Sequence, residues 1–251
     1  MKLFSRERGA GKALIFIHGF PMHQAIWDDF GERFVKSYNV ITLDLPGFGK
    51  SPILPYPFSI DQVAGQVLHF ISENEIQNSV VVGHSLGGYV ALSMIEKRPD
   101  LFSGIGLFHS TAYADSAEKK SSRAKVIDFV EKNGALAFTT NFIAPLFANP
   151  QNKWIETVKK IAGQSSEAAV IGYTQAMRRR YDQTKTLKNF KKPTLFLAGN
   201  QDLGIPVASI HEQAAVCHYP EIHILQGVGH MAMFEKPEEA AARIEGFLGK
   251  I

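Results

Sequence analysis

The chain has 251 residues, of which 45% are hydrophobic and 20% charged, a balance typical of one folded domain with an insertion. A net charge of +3 is too small to indicate a nucleic-acid partner. The single cysteine, Cys217, excludes an internal disulfide and a multi-cysteine metal cluster. Because the charged N-terminus shows no signal-peptide pattern and no apolar run reaches roughly 18 residues, we expect a cytoplasmic protein without a membrane span.

Short apolar runs alternate with helical patterns along most of the chain. We predict helices at 25–37, 60–73, 86–97, 207–217 and 235–248, and strands at 13–20, 39–47, 79–85, 104–110, 193–199 and 221–227. This alternation predicts a mostly parallel sheet that is covered by helices on both faces. Residues 112–190 are helical in pattern and contain no convincing strand, so we predict a helical insertion between two core segments, 1–111 and 191–251.

One serine lies at the junction of a predicted strand and a predicted helix. Residues 80–90 read VVVGHSLGGYV, so Ser85 follows a β-branched apolar run and precedes a helical pattern. A sharp turn here exposes the hydroxyl, but it leaves space only for small residues two positions away on either side. Gly83 and Gly87 meet that requirement. The pattern predicts a nucleophile elbow with Ser85 as nucleophile, although a tight turn that merely contains a serine also fits this motif alone.

The partners of such a serine are expected later in the chain, an acid first and then a histidine. Asp202 follows the strand pattern PTLFLAG, and His230 follows the strand pattern EIHILQG. Both therefore fall at carboxyl ends of predicted strands, and we predict a catalytic triad in which His230 is the general base and Asp202 the orienting acid. Upstream, the loop HGFPM also follows a strand, and we expect the backbone N–H groups of Phe20 and Leu86 to form the oxyanion hole.

Five segments together resemble the signature segments of the α/β-hydrolase superfamily, in its capped, carboxylesterase-like branch with a serine nucleophile. They are HGFP (18–21), DLPGFGKS (44–51), GHSLGG (83–88), GNQDLGIP (199–206) and GHMAMFEKP (229–237). The resemblance covers nearly the whole chain except the insertion. It implies an α/β-hydrolase fold with an eight-stranded, mostly parallel sheet, helices on both faces and a helical cap inserted after the sixth strand. Only 12 residues precede the first predicted strand, so the N-terminal hairpin is expected to be short or partly missing.

The loops around the predicted site supply further candidates. The resemblance implies that Asp44 ties down its own loop, and we expect His18 to brace the oxyanion turn and His84 to be a packed neighbour of the nucleophile. The residues that we predict to line the substrate pocket are Met22, His23, His109, Phe142, Phe147 and Met231. No histidine pair has metal-ligand spacing such as H-E-x-x-H, so we predict neither a metal nor another cofactor.

The insertion carries the excess positive charge of the chain. Within 112–190 there are 13 Lys or Arg and 7 Asp or Glu, a balance of +6, which leaves −3 for the rest of the chain. A basic cap over an acyl-transfer site would attract an anionic substrate. Solvated helix faces explain the same composition, and the sequence does not indicate which side the charges face.

Together these patterns predict a serine hydrolase that cleaves a small carboxylic ester through an acyl-enzyme. Hydrolases of carbon–carbon bonds in diketones, lactonases and cofactor-free haloperoxidases use the same triad and remain alternatives. Dehalogenases and epoxide hydrolases place an aspartate where Ser85 stands, which argues against both. A ligand receptor on the same scaffold is a further alternative, disfavoured because no member of the triad is missing. The acyl group, the alcohol group and the oligomeric state are not evident from the sequence.

Overall fold

The computed structural model describes residues 1–251, and its centre is one sheet of seven strands. The strands are β1 (Ser5–Arg8), β2 (Ala13–Ile17), β3 (Asn39–Leu43), β4 (Ser79–His84), β5 (Phe102–Phe108), β6 (Thr194–Gly199) and β7 (Pro220–Leu225). Their order is β1-β3-β2-β4-β5-β6-β7, and every neighbouring pair is parallel except β1 with β3. The predicted mostly parallel sheet is confirmed. It has seven strands rather than eight because only one short antiparallel strand precedes β2.

Eleven α-helices connect and cover these strands. They are α1 (Asp28–Gly31), α2 (Ile60–Glu73), α3 (Leu86–Lys97), α4 (Ala117–Asn133), α5 (Ala135–Phe142), α6 (Ile155–Ala162), α7 (Glu167–Arg179), α8 (Thr184–Asn189), α9 (Val207–Ala214), α10 (Ala232–Glu235) and α11 (Pro237–Leu248). The predicted helix at 25–37 is instead a short α1 between two 3₁₀ turns. Gly31, a poor helix former, lies at the end of α1. No helix is both long enough and apolar enough to span a bilayer.

Successive residues of the central strands point to opposite faces of the sheet and into two separate apolar cores. Ile15 and Ile17 of β2 join a core that includes residues of α2 and α3. Leu14 and Phe16 join a second core that includes residues of α11 and of the segment around Trp27. Central strands that are apolar on both sides need helices on both faces, and the structure has them there.

The insertion, residues 112–190, leaves the sheet after β5 and returns at β6, and it contains α4–α8 but no strand. It packs on the loop 44–51 through α7, where the buried Tyr173 hydroxyl donates a hydrogen bond to the Pro46 carbonyl (2.9 Å). The Tyr173 ring also lies 4.6 Å from that of Phe48. With one N-terminal strand missing, β5 corresponds to the sixth strand of the family pattern. The bounds of the insertion as a separate cap domain stay a prediction.

Candidate active site

Ser85 joins β4 to α3 in a left-handed backbone conformation, with φ 51° and ψ −112°. This conformation is strained for a residue that carries a side chain. A Cβ atom at Gly83 would collide with the Gly87 carbonyl oxygen, and a Cβ atom at Gly87 would collide with the carbonyl oxygen of Ile17 in β2. Strand and helix can therefore approach this closely only because both positions are glycine, which is the geometry that the G-x-S-x-G pattern predicts.

The backbone of Ser85 is held on both sides by the end of β5. Its N–H donates to the Phe108 carbonyl (3.0 Å), and its own carbonyl accepts a hydrogen bond from the Ser110 hydroxyl (2.7 Å). Gly88 makes room for Ser110, since a Cβ there would overlap the Ser110 hydroxyl. The Ser85 hydroxyl itself makes no hydrogen bond to a protein group, His230 included, and Ser85 lines a cavity.

Asp202 and His230 lie in the loops after β6 and β7 and form a hydrogen-bonded pair. His230 Nδ1 donates to Asp202 Oδ2 over 2.7 Å, while Asp202 Oδ1 accepts the backbone N–H groups of Gly204 (2.8 Å) and Ile205 (3.1 Å). Burial disfavours the charged carboxyl. The charge interaction with His230 and the hydrogen bonds from two imidazoles outweigh it, so the pKa of Asp202 lies far below its ordinary value. Asp202 is therefore an ionised acceptor, which fixes the Nδ1–H tautomer of His230.

His109 binds the same Asp202 oxygen as His230, and the two imidazole rings lie 5.4 Å apart. Its Nδ1 donates to Asp202 Oδ2 over 2.9 Å, and the imidazole is fully buried at the end of β5. The backbone there is left-handed (φ 51°), and the His109 N–H donates to the Leu197 carbonyl over 2.7 Å. Burial lowers the pKa of His109 although Asp202 favours its charged form, so the ring is neutral at physiological pH. Its Nε2 has no partner. His109 thus buttresses the acid rather than lining the cavity.

The backbone of His230 is fixed from the core and from the insertion. His84 Nε2 donates to the His230 carbonyl over 2.9 Å, and the two rings lie 5.0 Å apart. Burial, reinforced by the neighbouring imidazoles, lowers the pKa of His84 well below its ordinary value. The His230 N–H donates to the carbonyl of Leu146 in the insertion over 2.7 Å. His84 is the packed neighbour that the sequence predicts, and it also positions the loop of His230.

The Glu235 carboxylate joins the His230 loop to the insertion. It accepts three backbone N–H groups, those of Gly229 (3.0 Å), Met231 (3.1 Å) and Ala148 (2.8 Å). Gly229 and Met231 flank His230, and Ala148 belongs to the insertion. One side chain therefore fixes the base loop and ties it to the segment that lies over the site.

The loop that follows β2 carries the predicted oxyanion donor of Phe20. His18 holds this loop: its Nδ1 donates to the Gly19 carbonyl (3.0 Å), and its Nε2 accepts the Leu45 N–H (2.9 Å). Burial lowers the pKa of His18 to about 4, so the ring is neutral and can accept. The Phe20 N–H donates no backbone hydrogen bond, and Leu86 begins α3, where an N–H has no acceptor within the helix. Both donors are available to a ligand.

A cavity of about 500 Å³ joins the residues of this edge of the sheet to the insertion. Ser85, Asp202, His230 and Phe20 line it from the core. Helices α4, α5 and α7 line it from the insertion, through residues that include Lys119, Ser122, Arg123, Val126, Phe138, Asn141, Phe142, Thr174 and Met177. The cavity thus has a mixed wall, with aromatic rings on α5 and two cationic side chains on α4.

Of the six residues predicted for the pocket, only Phe142 lines this cavity. Met22 and Met231 are 1% and 0% exposed and belong to the second apolar core, as does Phe147. His23 caps the following 3₁₀ turn, where its Nδ1 accepts the Ala25 N–H. His109 lies behind Asp202. The pocket assignment is corrected accordingly: position next to a strand end indicated nearness to the site but not the direction of the side chain.

His109, Asp202 and His230 also bring three atoms of metal-ligand type within 4.8 Å of one another. Both imidazoles direct a protonated Nδ1 at the carboxylate, so the lone pairs that would bind a metal are absent at those atoms. The donor set fits a hydrogen-bonded acid better than a metal centre.

The sequence-based prediction gave no role to Ser110 or Glu235, and it placed His109 in the pocket rather than behind Asp202. Ser110 and His109 stand at the carboxyl end of β5, in the motif GLFHS, and that position was the available signal for a role near Ser85. No sequence pattern indicated a role for Glu235, because its partners are backbone N–H groups, one of which comes from a segment far away in the sequence.

Comparison with known proteins places the chain in a family. The chain is 27% identical over 258 residues to a dihydrolipoyllysine-residue acetyltransferase component of an acetoin cleaving system from Cupriavidus necator. This match covers 98% of this chain but only 66% of that longer relative. It is 26% identical over 254 residues to a pimeloyl-[acyl-carrier protein] methyl ester esterase from Vibrio vulnificus, covering 98% of this chain and 97% of the relative. A thermophilic esterase from Thermogutta terrifontis, solved with malate bound, superposes with a TM-score of 0.93 at 26% identity, covering 99% of this chain and 93% of that one. The alpha/beta hydrolase family model matches residues 14–243, and the chain belongs to that family.

Proposed function

We propose that this protein is a serine hydrolase that cleaves small carboxylic esters through an acyl-enzyme. One observation carries the proposal: Ser85, on its strained turn, lines the same cavity as the hydrogen-bonded pair His230 and Asp202. In this proposal Ser85 is the nucleophile, His230 the general base and Asp202 the acid that orients it. The insertion acts as a cap that roofs the cavity.

The tautomer of His230 determines the direction of proton transfer. Because Nδ1 donates its proton to Asp202, Nε2 carries the lone pair and can accept the proton of the Ser85 hydroxyl. The resulting alkoxide attacks the ester carbonyl, and the negative charge of the tetrahedral intermediate lies between the N–H groups of Phe20 and Leu86. The intermediate collapses, the alcohol leaves with the proton from Nε2, and an acyl-enzyme remains. Water, deprotonated by His230, then releases the carboxylic acid.

Among the hydrogen bonds that this mechanism requires between protein groups, the one between Ser85 and His230 is not formed in the structure. Catalytic hydrogen bonds often tighten only in the substrate complex, so we expect it to form there. Asp202 supports the step electrostatically, since its low pKa keeps it anionic beside the imidazolium that forms. His109 is a positioning residue, because it donates a hydrogen bond to the same Asp202 oxygen that accepts from His230.

The relatives support ester chemistry. One is named as a methyl ester esterase and a structural neighbour is named as an esterase, both over nearly the full chain. The mixed cavity wall, with its aromatic residues, suits the apolar part of a small ester.

The proposal is tested with 4-nitrophenyl esters of short acids and with a fluorophosphonate probe. We expect the Ser85→Ala variant to lose at least about 10⁴-fold in kcat/KM and all labelling, because the residual rate of a triad enzyme without its nucleophile comes from binding and the oxyanion hole alone. Ser72→Ala is the matched control, since Ser72 is exposed and its hydroxyl makes no hydrogen bond. A Ser85→Ala variant that folds and keeps its activity contradicts the proposal. Preferred cleavage of a vinylogous diketone over the esters would assign carbon–carbon hydrolysis to the same triad instead.

A further inference from the structure

Helix α4 turns one cationic face toward the cavity. Lys119, Ser122, Arg123 and Val126 all line the cavity, and their spacing of three and four residues places them on one side of the helix. Lys120 and Lys125, on the same helix, do not line it. The insertion has 13 cationic residues, and two of them, Lys119 and Arg123, border the cavity. They do so together because they are four residues apart on one helix.

Arg123 is held in place without being neutralised. Its Nε donates to the Asp115 carboxylate, a buried group that also accepts a hydrogen bond from Arg180 Nη1 (2.7 Å). Burial alone would raise the pKa of Asp115, but the hydrogen bonds and charges of the two guanidinium groups lower it, so the carboxylate is ionised. Two cations share one anion, and this group of three carries a net charge of +1. Arg123 Nη1 has no partner within the protein, while the side chain keeps 19% of its surface exposed.

Arg180, the second cation that binds Asp115, does not line the cavity. It is only 6% exposed, its Nη1 and Nη2 also donate to the carbonyls of Met177 and Tyr113, and its guanidinium lies 4.0 Å from the centre of the Tyr89 ring. Arg180 is therefore nearly buried and held by protein groups, and Arg123 is the member of the pair that lines the cavity.

Lys119 lies next to the acid loop. Its ammonium donates one hydrogen bond, to the Gly204 carbonyl (3.0 Å), and the Gly204 N–H in turn donates to Asp202. Asp202 is the only carboxylate that lines the cavity, and four donors already occupy its oxygens. The cationic face of α4 therefore has no anionic counterpart of the protein across the cavity.

We propose that Lys119, Ser122 and Arg123, with the Asn141 amide on α5 beside them, form a binding site for a carboxylate on the substrate. The guanidinium, ammonium, hydroxyl and amide all supply N–H or O–H donors, and a guanidinium suits a carboxylate in particular. The aromatic wall of Phe20, Phe138 and Phe142 suits a short hydrocarbon chain. The substrate class is then an ester that carries a free carboxylate, such as a monoester of a dicarboxylic acid. This inference rests on the proposed function.

The test compares two activated esters of equal chain length, the 4-nitrophenyl monoester of glutaric acid and 4-nitrophenyl pentanoate. We expect the unmodified enzyme to prefer the anionic ester by at least about 10-fold in kcat/KM, the value of one hydrogen bond to a charged group. Arg123→Met should lower this preference about 10-fold, and Lys119→Met about 3-fold because its ammonium is more exposed and better screened. Lys120→Met removes the same charge from the same helix outside the cavity and should change the preference less than about 2-fold.

The outcomes separate this inference from the proposed function. Hydrolysis of both esters with no preference for the anionic one overturns the carboxylate site alone, as does a preference that survives in Lys119→Met and Arg123→Met. An equal loss of preference in Lys120→Met also overturns it, because the effect would then come from net charge. If Arg123→Met does not fold after losing its bond to Asp115, the exposed Lys119 still decides the question. Absence of turnover and of Ser85 labelling refutes the proposed function and this inference with it.

Discussion

Replacing Asp202 by asparagine is the sharpest test of the proposed triad, because the surrounding hydrogen bonds determine how the amide must lie. Two backbone N–H groups point at Oδ1 and two imidazole Nδ1–H groups point at Oδ2. The amide oxygen of asparagine can only accept and its NH₂ can only donate, so the oxygen takes the Oδ1 position. The NH₂ group then faces His109 and His230.

That orientation inverts the tautomer of the base. To accept from the amide, His230 must carry its proton on Nε2, and it then has no lone pair for the Ser85 hydroxyl. We expect kcat/KM to fall about 10⁴-fold, equivalent to about 5.5 kcal/mol of transition-state stabilisation. His109 must also move its proton to Nε2, a buried atom with no partner, which costs about 1–3 kcal/mol of folding stability.

Activity on 4-nitrophenyl butyrate gives the first quantity, urea denaturation the second, and ¹⁵N chemical shifts of the imidazoles report the tautomers directly. The control is Asp44→Asn. The Asp44 carboxylate accepts only the backbone N–H groups of Gln24 and Lys50, so this variant should lose about 1–3 kcal/mol of stability and less than about 10-fold in kcat/KM. If Asp202→Asn kept more than about a tenth of the activity, the assignment of Asp202 as the acid would be refuted.

Three further predictions follow from the site and its supports. A Gly87→Ala variant should be destabilised by at least about 3 kcal/mol, because its Cβ meets strand backbone that cannot move away. The control Gly65→Ala on α2 has free space around it and should gain up to about 1 kcal/mol of stability. Equal stability of the two variants in urea would contradict this. Glu235→Gln should remove the hydrogen bond from the Ala148 N–H, because an NH₂ group would then face that N–H. We expect both kcat/KM and the resistance of residues 144–150 to proteolysis to fall, and unchanged values of both would contradict this. Burial lowers the pKa of three histidines, His18, His84 and His109. Folding stability should therefore fall as the pH drops from about 6.5 towards 4, by about 1.4 kcal/mol per pH unit for each imidazole that protonates only in the unfolded chain. Urea midpoints that do not change with pH over that range would rule this out.

The sign of the pH effect follows from the direction of those shifts. A histidine whose pKa is lowered on folding binds fewer protons in the native state, so its contribution is intact above the unfolded value and declines as acid protonates the unfolded chain. The low pKa of Asp202 acts in the same direction but at lower pH, since unfolded aspartate titrates near about 3.9. Acid therefore weakens the fold in two stages, first through the histidines and then through Asp202.

The sequence predicted best what backbone geometry alone requires. Gly83 and Gly87 flank Ser85 because no larger residue fits the turn. The nucleophile elbow could therefore be predicted from the residue types and their spacing. The order of strands and helices was also predictable, because short β-branched apolar runs alternate with longer segments of helical periodicity. The limits of α1 were not, because Gly31 interrupts a pattern whose apolar residues, such as Trp27 and Phe30, pack into the core from short turns as well as from a helix.

Side-chain direction was the part that sequence could not supply. Met22 and Met231 follow strands at the correct edge of the sheet, yet both point into the second core, away from the cavity. His109 follows β5 in the same way and points at Asp202. The difference between these outcomes depends on the backbone conformation of each loop, such as the positive φ of His109, which the packing of distant segments determines.

Direct hydrogen bonds couple the insertion to the loop of His230, the proposed general base. The His230 N–H bonds to the carbonyl of Leu146, and the Glu235 carboxylate binds Ala148 together with both neighbours of His230. A Cβ at Gly229 would collide with backbone atoms of residues 146–148, so the two segments are in direct contact. Movement of residues 146–148 would therefore displace His230 as well.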